Sequence, residues 1–181
     1  MKLGFIGCGN MAKAMLGGIL KNEICAKEDV IATAKSEASR ENARNTYGIQ
    51  VTADNIEAAK SADVLVLASP VYFYGISAQL KAIIDRLHTP MRDSFRIRRT
   101  ALLLVGAASL PELFDAILTE YNLACRFFHL EHAGQVLVRG VKEKGDVRAG
   151  DALQQAYDLG ASIAEPALNL AKARRLCYTK K

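Results

Sequence analysis

Lys2-Leu-Gly-Phe-Ile-Gly-Cys-Gly-Asn-Met-Ala-Lys13 decides how the rest of the chain is read. Leu3, Phe5 and Ile6 make a short apolar run of the kind found in a buried strand. The run breaks at Gly7-Cys8-Gly9-Asn10, and apolar or small residues then recur at helical spacing, at Met11, Ala14, Met15, Gly18 and Ile19. Gly-x-Gly-x-x-Ala between a strand and a helix is the context in which the dinucleotide fingerprint carries meaning. Gly7 permits the tight turn, Gly9 lets the backbone approach a pyrophosphate, and Ala12 lets the helix lie close to the strand. Unpaired N–H groups and the positive end of the helix then face the anion. Gly7, Gly9, Asn10, Met11 and Ala12 are therefore the first candidate binding residues.

Outward from this turn the chain alternates strand and helix. Asp29–Ala34 reads as a second strand, and Ser36 caps a helix over Glu37–Tyr47 that Gly48 stops. Ile49–Val51 is a third strand, followed by a helix capped by Asp54. Asp63–Ala68 is a nearly continuous apolar strand, the pattern of a parallel sheet covered on both faces. Ser69–Gly75 is expected to be a loop, because Pro70 cannot donate to a ladder. A helix follows to Leu87, with Ile76, Leu80, Ile83, Ile84 and Leu87 on one stripe. Arg99–Val105 is a fifth strand closed by Gly106-Ala-Ala-Ser109, and Pro111 opens a helix running to about Asn122. A sixth strand lies within Phe127–Arg139, bent near Gly134. The last helix starts at Asp151, and Pro166 kinks or ends it. This alternation predicts an α/β fold, a three-layer doubly wound parallel sheet forming one domain over residues 1–181.

The chain has 181 residues, a net charge of +5, and ordinary globular shares of hydrophobic (50%) and charged (24%) residues. No apolar run reaches membrane-spanning length and no basic-then-apolar leader precedes the first strand, so a cytoplasmic protein without a membrane partner is expected. Cys8, Cys25, Cys125 and Cys177 are scattered without a Cys-x-x-Cys, which suits reduced thiols rather than an iron–sulfur or zinc framework. Cys8 beside the helix start is either a more reactive thiolate or a small residue that fits the turn. The excess positive charge falls at Arg92, Arg96, Arg98 and Arg99 and in the tail, at Lys172, Arg174, Arg175, Lys180 and Lys181. No nucleic-acid motif accompanies it, and nucleic acid is not an expected partner. His129 and His132 flank Glu131 but point to opposite faces of a strand, so no metal site is expected; no catalytic set assembles either.

The first sixty-odd residues resemble pyrroline-5-carboxylate reductase. The matching stretches are Gly4–Ala12, Gly17-Gly18, and Val51-Thr-Ala-Asp-Asn55 leading into Ala62–Ala68. From Ser69-Pro-Val-Tyr-Phe-Tyr-Gly75 and Gln79-Leu-Lys-Ala-Ile-Ile-Asp-Arg86 onward the chain resembles flavodoxin-like flavin reductases and iron–sulfur flavoproteins. Lys144-Gly-Asp146 and Ala156-Tyr-Asp-Leu-Gly160 fit the same pattern. The two resemblances divide the domain into residues 1–68, Rossmann-like, and residues 69–181, flavodoxin-like. The strand beside the first is the fourth in one fold and the third in the other, so half-sheets can be joined there. A hybrid of this kind implies six strands in the order 3-2-1-4-5-6, with Val30–Thr33 and Val64–Leu67 flanking Leu3–Ile6, all parallel. It implies a recombination product or a deliberately designed chimera.

The reductase resemblance implies NADP(H), with its pyrophosphate on Gly7–Ala12 and its 2′-phosphate after the second strand, near Lys35, Ser36 and Arg40. Asn55 matches a residue near the cofactor. No acid stands at Ala34 to take a ribose 2′-OH, and Glu37 is the nearest one. The helical domain that carries the pyrroline site in that family has no counterpart here. The flavin resemblance implies FMN, its ring held by Ser69, Pro70, Tyr72 and Phe73, with Gly106 and Ala107 on the opposite wall. The hydroxyl-rich phosphate loop of that family is replaced by Gly7–Asn10. Three readings stay open from sequence: a nucleotide-cofactor-binding chain with little or no catalysis, a flavin-dependent NAD(P)H oxidoreductase, and a folded chimera without a ligand. A homodimer is left open as well.

Overall fold

Leu3–Ile6 form strand β1, and all four residues are buried. A strand hidden on both faces requires partners along both edges and helices above and below. The computed structural model, which describes residues 1–163 apart from Met91, Asp93, Ser94 and Lys144, supplies both. The strands in chain order are β1, β2 (Val30–Thr33), β3 (Gln50–Thr52), β4 (Val64–Tyr72), β5 (Gly75–Ile76), β6 (Arg99–Val105) and β7 (Glu131–Val138). Six of them form a parallel sheet in the order β3-β2-β1-β4-β6-β7, and β5 turns back antiparallel on β4. β1 sits between β2, with Leu3 opposite Val30 and Ile6 opposite Thr33, and β4, with Leu3 opposite Val64 and Ile6 opposite Leu67. This is the expected order of the six parallel strands.

The helices are α1 (Asn10–Lys21), α2 (Glu37–Tyr47), α3 (Asn55–Ser61), α4 (Ala78–Arg86), α5 (Asp115–Phe127) and α6 (Ala152–Ser162). Alternate residues of the strands feed two cores. Leu3, Phe5, Val64, Val66, Ala101 and Leu103 pack under α1, α2 and α6. Ile6, Leu65, Leu67, Leu102 and Leu104 pack under α3, α4 and α5. The caps read from sequence are present: Ser36 Oγ accepts from Ser39 N–H, Asp54 accepts from Ile56 N–H, and Gly48 ends α2 at φ 66°. α6 begins after Asp151, while Pro166, Cys177 and the basic tail lie outside the described residues, as does Lys144.

Two expectations need correction. Pro70 does not end β4, which continues to Tyr72 with Pro70 opposite Val105. β1 stops at Ile6, opposite Leu67, so beyond that point β4 has a parallel partner on only one side. Pro70 thus stands on a local sheet edge, where a missing N–H is tolerated. The helix expected to end near Asn122 runs instead from a 3-10 turn over Pro111–Phe114 into α5, ending at Phe127. The bend expected near Gly134 is a bulge: the register with β6 slips between Thr100–His132 and Ala101–Gly134, where Gly134 has φ 142°.

The closest helix packing joins α1 to α6. A Cβ on Gly18 would lie 2.0 Å from Tyr157 O, and one on Gly160 would lie 2.2 Å from Met15 O. Each glycine therefore receives a backbone carbonyl of the opposite helix, and backbone cannot step aside as a flexible side chain can. Gly160→Ala is expected to destabilise the fold by about 2–3 kcal/mol, overpacking outweighing the roughly 1 kcal/mol gain in helix propensity. Chemical denaturation of the variant checks this, Gly150→Ala serving as the control because its Cβ meets open space.

Asp63 fastens the opposite end of the sheet. Its Oδ2 accepts from Lys2 N–H at 2.8 Å and its Oδ1 from Arg96 Nε at 3.0 Å and Nη2 at 2.9 Å. Its carbonyl accepts from Arg98 N–H at 2.9 Å. Burial pushes the carboxyl up, but the Lys2 N–H and Arg96 outweigh it and hold it below its ordinary range. A lowered folded value means that the stabilisation is present above the unfolded value near 3.9 and is lost as pH falls through the folded one. Asp63→Asn should cost about 1–2 kcal/mol at neutral pH and close on the wild type as pH falls below the ordinary carboxylate range and through the lowered folded value, as urea titrations across pH would record.

Candidate functional site

The turn after β1 is held from β2. Gly7 has φ 96°, where a side chain is strained, and its N–H donates to Thr33 Oγ1 at 3.2 Å. A Cβ on Gly7 would also stand 2.9 Å from Ala68 O. Thr33 is buried and was missed from sequence; its signal was a hydroxyl at the C-terminal end of an apolar strand, in register with Ile6. Gly9 precedes α1 with φ −83°, an angle open to any residue, and no side chain caps the helix. The first helical bond runs from Lys13 N–H to Gly9 O, so Asn10, Met11 and Ala12 donate no bond within the helix. A Cβ on Gly9 would meet nothing within 4 Å. Neither backbone angle nor neighbouring atoms require glycine there, and the space above the helix start is open.

Two clefts meet at Gly7 and Ala68, on the C-terminal edge of the sheet where the strand order reverses. One, of about 330 Å³, is lined by Gly9, Asn10, Met11, Ala12, Ser69 and Pro70, with Leu103, Val105 and Val147 as its far wall. The other, of about 410 Å³, opens beside Thr33, Ala34, Lys35, Asn55 and Ser77. Such a crevice outside the carboxyl ends of parallel strands is where open α/β sheets bind ligands. Asn10, at the start of α1, and Asn55, at the start of α3, thus border different clefts of one continuous edge. Met11 and Ala12 are buried and line the first of these clefts.

The candidates after β2 divide by role. Lys35 is exposed on the second cleft. Ser36 is occupied as the α2 cap, its Oγ also donating to Ser39 Oγ at 2.8 Å. Arg40 turns back on the chain: Nη1 donates to Ala34 O at 2.8 Å and Lys35 O at 2.7 Å, and Nε to Glu37 Oε2 at 3.1 Å. Neither Ser36 nor Arg40 lines the cleft with Lys35.

The second group of candidates is brought together only in part. Ser69 Oγ donates to Pro70 O at 2.7 Å and accepts from Ser77 N–H at 2.9 Å, tying the end of β4 to the start of α4. Tyr72, Phe73 and Tyr74 form the tip of the β4–β5 hairpin and are exposed, Phe73 completely. Phe73 and Tyr74 both have positive φ, 45° and 62°, a strained turn for bulky residues. Packing of Phe73 on the adjacent helix is thereby excluded, and neither ring lines the cleft. Gly106 packs beneath Leu113, and its N–H donates to Val138 O at 2.8 Å. Gly106 and Ala107 are not in the cleft lining, where Val105 and Val147 stand instead.

Other sequence features are absorbed by the fold. Cys8 is buried, and burial pushes its thiol up against the pull of Lys13, which makes it a core residue rather than an activated thiolate. Cys8, Cys25 and Cys125 are free thiols. Arg92 donates to Phe128 O, Arg96 to Asp63, Arg98 to Phe95 O and Ile97 O, and Arg99 to Ile163 O. These guanidinium groups bind their own chain. Among the described residues no cluster of His, Cys, Asp and Glu could hold a metal, and no helix is long and apolar enough to cross a membrane.

Residues 2–88 match the family described as NADP oxidoreductase, coenzyme F420-dependent. Pyrroline-5-carboxylate reductase of Vibrio alginolyticus is 42% identical over 122 residues, 67% of this chain and 41% of that protein. The chain thus spans well under half the length of this relative. Both matches reach past Ala68, the family match running through α4. An iron–sulfur flavoprotein of Methanocaldococcus jannaschii is 54% identical over 39 residues, 22% of this chain and 20% of that one. The solved structure of the Trp repressor binding protein from Bacillus subtilis superposes with a TM-score of 0.60 at 20% identity, covering 87% of this chain and 98% of that one. The last likeness establishes the α/β fold. The sequence matches relate the N-terminal half to Rossmann-type oxidoreductases.

Because Gly9 is constrained by nothing in the protein, Gly9→Val should leave the midpoint of thermal unfolding within about 2 °C of the wild type. Gly7→Val should lower the midpoint by several degrees, since it meets both a positive φ and the Ala68 carbonyl.

Proposed function

We propose that the chain binds a nucleotide cofactor, NADP(H) first, with the pyrophosphate on the N–H groups of Gly9–Ala12. The observation that carries this is the open space above Gly9 at an uncapped helix start. The cleft beside Lys35 and Asn55 receives the adenosine half, and the cleft beside Ser69, Pro70 and Val147 receives the nicotinamide half. Lys35 supplies a cation for a 2′-phosphate. When bound, the cofactor supplies hydride chemistry. The residues of the first cleft are apolar, amide or hydroxyl, and none titrates near neutrality. The chain's contribution is therefore to bind, orient and exclude water, and we read its own catalytic power as small.

A second reading is supported by the exposed aromatic hairpin and by the likeness to a flavoprotein: FMN binds with its phosphate on the same turn, as in an NAD(P)H-dependent flavin reductase. Tyr72 and Phe73 do not enclose a ring within one chain, so this reading requires the hairpin to move or a second copy to close the site. An origin by joining two half-sheets, natural or designed, rests on the resemblances read from residues 1–68 and 69–181 of the sequence alone.

Titration separates the readings. NADPH should give a calorimetric binding isotherm with the wild type and raise its unfolding midpoint, with Gly9→Val abolishing both effects while the apo midpoint stays unchanged. A yellow purified protein whose flavin is lost in Tyr72→Ala would favour FMN. Absence of any effect from either cofactor would leave a folded chimera without a ligand.

A further inference from the structure

Arg40 is the most heavily engaged cation at the end of β2, and its bonds have a consequence for nucleotide choice that rests on the binding reading above. Its Nη1 bridges the carbonyls of Ala34 and Lys35 at 2.8 and 2.7 Å, while Nε and Nη2 both reach Glu37 Oε2. Arg44 takes the other carboxylate oxygen, Nη1 lying 3.1 Å from Glu37 Oε1, and its Nη2 donates to Val51 O at 3.1 Å. Hydrogen bonds from Arg40 and then Arg44 hold the Glu37 carboxyl below its ordinary range, so it is an anion at neutral pH. Arg40 is largely buried, its side chain 15% exposed, whereas Glu37 is 58% exposed. The chain therefore does carry an acid near the end of β2, in the first turn of α2, and two guanidinium groups grip it from its own helix.

An uncommitted acid at this end of a dinucleotide fold accepts from a ribose 2′-OH and repels a 2′-phosphate. Here the acid is neutralised, and Lys35, the residue whose carbonyl Arg40 holds, faces the cleft. We propose that Arg40 sets the preference for a 2′-phosphorylated nucleotide without touching it. It is a positioning residue: it draws Glu37 off the ribose and fixes the Ala34-Lys35 backbone, leaving Lys35 to meet the phosphate. This differs from the sequence reading, in which Arg40 is itself a phosphate ligand. All three nitrogens of its guanidinium already have acceptors on the chain.

The test is a comparison of NADPH and NADH affinities, by fluorescence titration at one fixed salt concentration, for the wild type, Arg40→Ala, Glu37→Gln, the double variant and Lys35→Ala. Arg40→Ala should lose roughly tenfold in NADPH affinity, the scale of one charge-assisted contact, while NADH binds as before or more tightly. Adding Glu37→Gln should return NADPH binding to within about threefold of the wild type, because the repelling charge is gone. Lys35→Ala should lose NADPH preference and keep NADH. The ratio of the two affinities is read rather than either alone, since a folding defect lowers both together. A double variant as weak toward NADPH as Arg40→Ala would show direct phosphate contact and overturn the proposal. Equal loss of both nucleotides in Arg40→Ala would overturn it as well, by reducing Arg40 to a scaffold residue. A wild type that binds neither nucleotide would defeat the binding reading itself, and the proposal with it.

Discussion

The distance between α1 and α6 is the constraint on which the rest of the molecule depends. Two helices meet with a backbone carbonyl of each seated against a glycine of the other, Tyr157 O at Gly18 and Met15 O at Gly160. This contact fixes where α1 lies over β1, and hence where the N–H groups of Asn10–Ala12 emerge. It also fixes the residues just before α6, among them Val147, which forms the far wall of the cleft. Any larger side chain at the crossing would tilt a helix, and the cleft would change shape with it, because closely packed interiors transmit displacement.

Site and scaffold are separable at the glycine turn. Gly7 is required by the fold: its backbone angle, its closeness to Ala68 O and its bond to Thr33 all serve the turn. Gly9, two residues on, is required by none of these. A sequence pattern gives the two glycines the same letter, yet one is held by the fold and the other faces open space. The same division runs through the polar candidates. Ser36 and Arg40 spend their hydrogen bonds on capping and bracing outside the clefts, Ser69 braces β4 to α4 while lining the first cleft, and Lys35 and Asn55 stand on the second.

The two halves of the chain are not independent bodies. β4 runs through the expected join, pairing with β1 over Val64–Leu67 and with β6 through Pro70. Gly18 and Gly160 come from opposite halves and fit one another. Whatever the chain's origin, the halves share one sheet and two continuous cores, one on each face.

The sequence by itself determined the order and kind of the elements, because these follow from local chemistry. Strict burial made Leu3–Ile6 and Val64–Leu67 central strands, Ser36 and Asp54 capped the helices they precede, and Gly48 stopped α2 where its φ turned positive. It also marked Gly7–Ala12, since a turn between strand and helix is local. Only the tertiary structure decided which polar groups were left over for a ligand. Pro70 could stay in β4 because β1 ends three residues earlier in the register, a fact about a neighbouring strand. Thr33 joined the turn through a strand pairing 26 residues distant. Arg40 braces the Ala34-Lys35 backbone because a guanidinium takes whatever acceptors the folded backbone places within reach, and sequence spacing records nothing of where those carbonyls point.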